Sequence, residues 1–169
     1  MWQFTGAARP DFAVEPAPGQ ESVWDYPRPP ALVPCPRTVR ILAGEQEIAR
    51  SEQALRVIET ASPPTVYLPP ADIAPGALVE APGASYCEWK GVARYFALAG
   101  GDGKPVAWSY PEPSAPFAAL AHHVSFYPAL LACFLGDERV RPQGGGFYGG
   151  WVTDDIVGPW KGEAGTGAW

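Results

Sequence analysis

Proline and glycine interrupt this sequence so often that long helices are excluded from most of it. The chain has 169 residues, of which 21 are proline and 19 are glycine. Eight of the prolines precede Arg37, and nine of the glycines follow Gln143. Both residues break regular structure. The sequence therefore predicts three parts, namely a proline-rich arm over residues 1–36, a folded core over 37–141 and a C-terminal extension over 142–169.

The two flanking parts are rich in aromatic residues as well as in proline or glycine. The arm is predicted to be extended, because its prolines exclude a regular ladder or helix, with the aromatic segment 24–27 lying on the core. Two alternatives stay open for the extension. It is either a disordered tail or a segment that docks on the core or on a neighbouring subunit, because Trp151, Trp160 and Trp169 would otherwise expose large apolar surfaces.

The core consists of short apolar segments separated by turn residues, which is typical of a mainly β fold. Residues 38–42 are predicted to form a hairpin with 47–49 across a glycine turn. Residues 53–60 fit either a helix or a strand, and the strand is favoured because the neighbouring segments are short and β-like. One short helix is predicted over 116–121, with its proline in the first turn. We expect one compact barrel-like or folded-sheet domain.

The net charge of −6 argues against a polyanionic partner. It is spread evenly, with a net charge of −2 in each of the three parts, and no basic block occurs. Nucleic-acid binding is therefore not expected, and neither is binding to an anionic membrane surface. No apolar run reaches the ~18 residues of a membrane span, and the N-terminus lacks the features of a signal peptide. We expect a cytoplasmic protein.

The three cysteines, Cys35, Cys87 and Cys133, are too far apart in sequence for a zinc motif. A disulfide framework is not expected at this length and cysteine count. The sequence predicts no bound metal and no cofactor.

The segment Tyr86–Gly91 places a phenol, a thiol, an indole and an amine within six residues. A two-residue hairpin turn is predicted at Lys90-Gly91, because glycine readily adopts the positive φ of such turns. In that register Cys87 lies opposite Arg94 on the neighbouring strand. A sheet that carries these groups could surround a small molecule.

The leading hypothesis is a domain that binds a small polar or anionic molecule with an apolar part. Cationic side chains would pair with the charge of the ligand, and aromatic rings would pack against its apolar part. The predicted ligand-binding residues are Arg56, Trp89, Lys90, Arg94, Trp108 and Tyr110.

Two other hypotheses stay open. In the first, the protein is an enzyme that uses Cys87 as the nucleophile and either Glu59 or His123 as the base, in acyl or related group transfer. His122 precedes His123 directly, so only one of the two can face inward from a strand. In the second, the protein is a structural module that forms a homo-oligomer through the tryptophans of the extension. Cys87 could also be an unreactive wall or core residue.

Several segments of the chain are similar to those of the domain-of-unknown-function 427 family. They are Trp24–Pro30, Ala54–Thr60, Tyr86–Gly91 and Ala107–Pro111, and Gly146–Trp151 with Asp155–Pro159 resembles an extension that some members carry. The resemblance implies a small β-rich fold of mostly bacterial proteins, some of them labelled nucleotidyltransferases. The chain has no Gly-Ser followed by an Asp-x-Asp pair and no phosphate loop, which such transfer normally uses with Mg²⁺.

Overall fold

The structure is a computed structural model that describes residues 2–169, and across that range it is mainly β. The strands are β1 Glu21–Ser22, β2 Ala31–Pro34, β3 Val39–Ala43, β4 Gln46–Ser51, β5 Leu55–Glu59, β6 Ser62–Tyr67, β7 Leu78–Cys87, β8 Gly91–Leu98, β9 Pro105–Ser109, β10 Val124–Phe126, β11 Ala132–Leu135, β12 Glu138–Arg139, β13 Arg141–Pro142, β14 Trp151–Val152 and β15 Ile156–Val157. Three short 3₁₀ helices occupy Val23–Asp25, Pro70–Asp72 and Ala115–Leu120. Within residues 2–169, no helix has the length and apolar character needed to cross a bilayer.

Three sheets make up most of the fold. Sheet A has the strand order β10-β9-β8-β7, sheet B has β2-β5-β6, and sheet C has β12-β11-β3-β4. Sheets A and B join where Leu68, directly after β6, exchanges backbone hydrogen bonds of 2.8 and 2.9 Å with Val124 of β10. No sheet within residues 2–169 closes on itself. Of the two predicted architectures, the folded-sheet domain is therefore confirmed. The sheets of the described residues do not close into a barrel.

The main core lies between sheet C and strands β6, β9 and β10. Alternation along β3 buries Val39 and Ile41 completely and turns the intervening arginine outward. Trp151 of the extension also belongs to this core, at 1% exposed, and its indole Nε1 donates to the Phe126 carbonyl over 3.1 Å. The extension thus docks on the same chain.

Much of the predicted strand pattern is confirmed. The first hairpin forms between β3 and β4, and the ambiguous segment 53–60 contains strand β5. The predicted short helix is present as the 3₁₀ helix Ala115–Leu120. Gly44 forms the turn of the hairpin and Pro116 lies in the first turn of the helix, as predicted.

The prediction that the arm forms no ladder is wrong, because β2 pairs with β5 in the antiparallel sense. Ala31–Val33 is free of proline, and Pro34 lies at the end of an edge strand, where a missing N–H donor is tolerated. Trp24 of the arm is 1% exposed and packs against Trp169, with 5.4 Å between the ring centroids. Both ends of the chain therefore bury aromatic surface against each other.

The predicted register of the β7–β8 hairpin is also wrong. The turn consists of three residues, 88–90, and Cys87 lies opposite Gly91. Gly91 has a φ of +98° but occupies the first position of β8 and not the turn. Three-residue hairpin loops commonly carry such a left-handed glycine at the point where the loop ends. Arg94 consequently pairs with Ala84, away from Cys87.

Candidate functional site

A cavity of about 330 Å³ lies between sheets A and B. One wall consists of Val57, Glu59, Thr65 and Tyr67 from β5 and β6. The opposite wall consists of Ser85, Cys87, Ala93, Tyr95 and Trp108 from β7, β8 and β9. The volume falls within the range typical of small-molecule sites.

The floor of the cavity is aromatic. Trp108 donates from Nε1 to the Tyr67 hydroxyl over 3.2 Å, and its ring centroid lies 4.5 Å from that of Tyr127. Burial raises the pKa of Tyr127 to about 12 and raises the pKa of Tyr110 further. Tyr110 and Tyr127 therefore stay neutral near pH 7 and present apolar faces with hydroxyl groups at their edges.

The turn of the β7–β8 hairpin directs Lys90 into the cavity. Ser114 holds this turn, because its backbone N–H donates to the Lys90 carbonyl over 3.1 Å and its hydroxyl donates to the Trp89 carbonyl. Lys90 is only 8% exposed, and its Nζ lies 5.5 Å from the centroid of the Tyr110 ring. Burial alone lowers the pKa of Lys90, but Tyr67 and other neighbouring groups outweigh burial and the pKa is raised.

A second lysine reaches the cavity from the C-terminal extension. Lys161 is 6% exposed, and its Nζ lies 4.6 Å from the ring centroid of Trp2 and 5.6 Å from that of Tyr148. Burial lowers the pKa of Lys161; the charge of Glu59 partly opposes this effect, and the charges of Arg28 and Lys90 add to it. The side-chain amide of a buried glutamine at position 143 donates to the Lys161 carbonyl over 2.6 Å and fixes this segment.

Two of the three lysines of the chain are therefore buried in one cavity. Among residues 2–169, no carboxylate oxygen lies within 4 Å of the ammonium of Lys90 or Lys161, whereas Lys104 is 83% exposed and pairs with an aspartate. Glu59 also lines the cavity, but Arg28 contacts its carboxylate at 3.2 Å. Glu88 lies at the exposed rim. Lysine is rarely buried without a partner, so this arrangement is costly unless an anion offsets it.

Comparison with protein families shows that residues 31–136 match the family described as a domain of unknown function, DUF427, with the short name NTP_transf_9. The chain belongs to the DUF427 family. Comparison with curated proteins gave no match.

The DUF427 region supplies both sheet walls, and segments outside residues 31–136 cover them. Trp2 reaches across to the hairpin turn and donates from Nε1 to Glu88 over 3.1 Å. The loop 147–150 and Lys161 complete the lining from the extension. The cavity of this DUF427 protein is thus assembled from the family domain together with both ends of the chain.

Six of the nine predicted site residues line this cavity. They are Glu59, Cys87, Trp89, Lys90, Trp108 and Tyr110. These groups lie far apart in the chain, and the DUF427 fold places them around one cavity.

The other three predicted residues lie elsewhere. Arg94 is exposed, because the true hairpin register moves it away from Cys87. Arg56 points to the opposite face of β5 from Val57 and pairs with Glu21 at 3.2 Å, as side-chain alternation on a strand requires. His123 precedes β10 and is outside the cavity lining, and its Nδ1 lies 3.4 Å from the carbonyl of Ala121.

Several cavity residues were not predicted from the sequence. Lys161, Trp2 and Tyr148 lie in the flanking parts, where no local pattern indicates which part of the core they contact. One signal was available, since a chain with only three lysines places one of them directly after an apolar tryptophan, at Trp160-Lys161. Across residues 2–169, no group of three or more His, Cys, Asp or Glu side chains is placed to hold a metal ion.

Proposed function

We propose that this protein binds a small anionic molecule with an aromatic or apolar body in the cavity between sheets A and B. The observation that carries the proposal is the burial of Lys90 and Lys161 in one cavity with no carboxylate within 4 Å of either ammonium, within the described residues. An anion placed there would offset a charge that water no longer solvates.

The aromatic floor supports the second half of the proposal. Tyr67, Trp108 and Tyr127 offer ring faces, and the tyrosine hydroxyls can accept or donate hydrogen bonds, whereas the Trp108 Nε1–H already donates to Tyr67. A ligand that combined a ring with an anionic group would contact the floor and the two ammonium groups together. This is the usual composition of small-molecule sites, in which apolar walls carry a few polar groups.

Phenyl phosphate tests the proposal, because it joins an aromatic ring to an anion. Tryptophan fluorescence would be followed during titration with phenyl phosphate, with phenol and with inorganic phosphate, since Trp89 and Trp108 line the cavity. We expect phenyl phosphate to bind more tightly than either fragment. Equal affinity for all three, or no binding at all, would contradict the proposal.

The three lysines provide matched variants. Lys90→Met and Lys161→Met should each weaken phenyl phosphate binding about tenfold or more, because each removes one buried cation. Lys104→Met removes an exposed cation and should leave the affinity unchanged. The same loss in all three variants would show that only net charge matters and would exclude a specific site.

A Cys87-dependent enzyme remains a second candidate, because Cys87 lines the same cavity beside Lys90 and Tyr110. Its predicted bases give it less support. Glu59 is engaged by Arg28, and His123 lies outside the cavity lining.

We also propose a cytoplasmic location, which the three unpaired cysteines support, since a reducing compartment keeps thiols free.

A further inference from the structure

We propose that Lys161 forms a reversible imine with a ligand that carries both an aldehyde or ketone and an anionic group, with Lys90 holding the anion. This inference rests on the proposed function, because it uses the same cavity and the same anion-binding lysine. It adds the class of ligand and a covalent step.

The surroundings of Lys161 differ from those of an ordinary surface lysine. The side chain is buried against the rings of Trp2 and Tyr148. The charged groups that act on it are Glu59, Arg28, Lys90 and Glu88, and Glu59 is already paired with Arg28. Burial and neighbouring cations both increase the fraction of a lysine that is present as the neutral, nucleophilic amine.

The two cavity lysines are suited to different tasks. Lys90 keeps its proton, since its neighbours raise its pKa despite burial, and it can pair with an anion. Lys161 gives up its proton more readily, since burial lowers its pKa, and it can attack a carbonyl carbon. A carbonyl compound with an acidic group would use both.

The chemical step needs no oxidant or reductant. The Nζ lone pair of Lys161 attacks the carbonyl carbon, and the electron pair of the C=O bond moves to the oxygen. The two protons of the amine pass to that oxygen, the C–O bond breaks, and water leaves with the formation of a C=N bond. When protonated, the imine is a cation that the faces of Trp2 and Tyr148 can stabilise.

Reductive trapping with glyoxylate, which joins an aldehyde to a carboxylate, tests the inference. The full chain would be incubated with glyoxylate and cyanoborohydride near neutral pH, and the modified lysines would be located by peptide mass spectrometry. Because burial lowers the pKa of Lys161 and the cavity would hold glyoxylate beside its amine, we expect Lys161 to be modified several-fold faster than the exposed Lys104. Lys104 is an internal reference in the same molecule, so the result does not depend on a variant that folds.

Two controls separate this inference from the proposed function. Glycolate, which has the carboxylate but no carbonyl, should slow the modification of Lys161 and leave that of Lys104 unchanged. Lys161→Arg should abolish the fast modification. If Lys161 reacts no faster than Lys104 although phenyl phosphate binds, the imine proposal is wrong and the binding site stands. If phenyl phosphate does not bind and Lys161 is not favoured, both proposals fail.

Discussion

Arg28 contacts the carboxylate of Glu59 at 3.2 Å, on the inner wall of the cavity. The same guanidinium donates to the carbonyls of Phe4 and Trp169, each over 2.9 Å, and to that of Thr60 over 2.7 Å. It thus ties both ends of the chain to the end of β5. Glu59 acts on Lys90 and Lys161 only through its charge, because no carboxylate oxygen of residues 2–169 lies within 4 Å of either ammonium.

Replacement of Arg28 by methionine should destabilise the fold by about 3–5 kcal/mol, because it leaves Glu59 and several carbonyl groups without their donor. Urea denaturation would measure the loss. Arg50→Met is the matched control, because Arg50 forms an exposed ion pair with Glu47, and such pairs contribute little to stability. Similar losses in the two variants would show that Arg28 has no special structural role.

The contribution of Lys161 to stability should rise with pH as it loses its proton. The pKa of Lys161 is lower in the folded chain than its ordinary value of 10.5, so the unfolded chain binds this proton more tightly and the gain builds up as the pH rises toward 10.5. Urea midpoints of the wild type and the variants would be compared at each pH from neutrality upward, because the buried thiols of Cys35 and Cys133, whose pKa values are raised, act in the opposite direction in all of them. Lys161→Met should remove this slope and Lys104→Met should retain it. An identical pH dependence of the wild type and Lys161→Met would contradict the prediction.

Cys87 should be the first cysteine to react with iodoacetamide. It is half-buried at the cavity, whereas Cys35 and Cys133 are buried and burial raises the pKa of both thiols, that of Cys133 to about 12. Peptide mass spectrometry over time would rank the three, and phenyl phosphate should slow the reaction of Cys87 alone. If Cys87 reacts no faster than a model thiol near neutral pH, the nucleophile hypothesis fails.

Gly149→Ala should weaken ligand binding by displacing the covering loop. A Cβ at this position would lie 2.2 Å from the Trp108 ring, so the loop or the indole must move, at a cost of about 1–3 kcal/mol. Gly144→Ala is the control, since a Cβ there meets nothing within 4 Å. Tryptophan fluorescence and phenyl phosphate affinity should change in the first variant only. Equal behaviour of the two would show that this loop does not pack on Trp108.

Trp151→Ala should cost about 3–5 kcal/mol, because it empties a large volume in the main core. Phe147→Ala should cost little, since Phe147 is 80% exposed. Thermal unfolding would compare the two variants.

Self-association through the extension stays a prediction, and sedimentation of the wild type and Phe147→Ala at rising concentration tests it. A monomer at every concentration would exclude it.

The parts of the fold that sequence patterns predicted are those fixed by neighbouring residues. The β3–β4 hairpin depends on a local glycine turn, and β5 was predicted from its short β-like neighbours and the prolines that follow it. The β7–β8 register could not be fixed in this way, because Gly91 has the positive φ of a turn residue yet starts a strand. The observed register differs from the predicted one by three residues, since Cys87 lies opposite Gly91 instead of Arg94, and a displaced register changes every cross-strand pair.

The site residues were predicted correctly or missed for the same reason, namely whether neighbouring residues fix their positions. Glu59 and Arg56 were both predicted to line the site, although alternation on one strand sends them to opposite faces, and only Glu59 lines the cavity. Lys161 lines the same cavity as Lys90, which lies more than 70 positions away in sequence. Such contacts depend on how the extension docks, which no single segment encodes.

The cavity's mixed origin has a consequence for how ligands are assigned among relatives. Residues 31–136, by which the family is recognised, provide the walls, whereas Trp2, Tyr148 and Lys161 come from outside that region. Two homologues with similar domains but different flanks would enclose different molecules. Functional inference across such homologues should therefore compare the positions equivalent to 148 and 161 before it relies on overall identity.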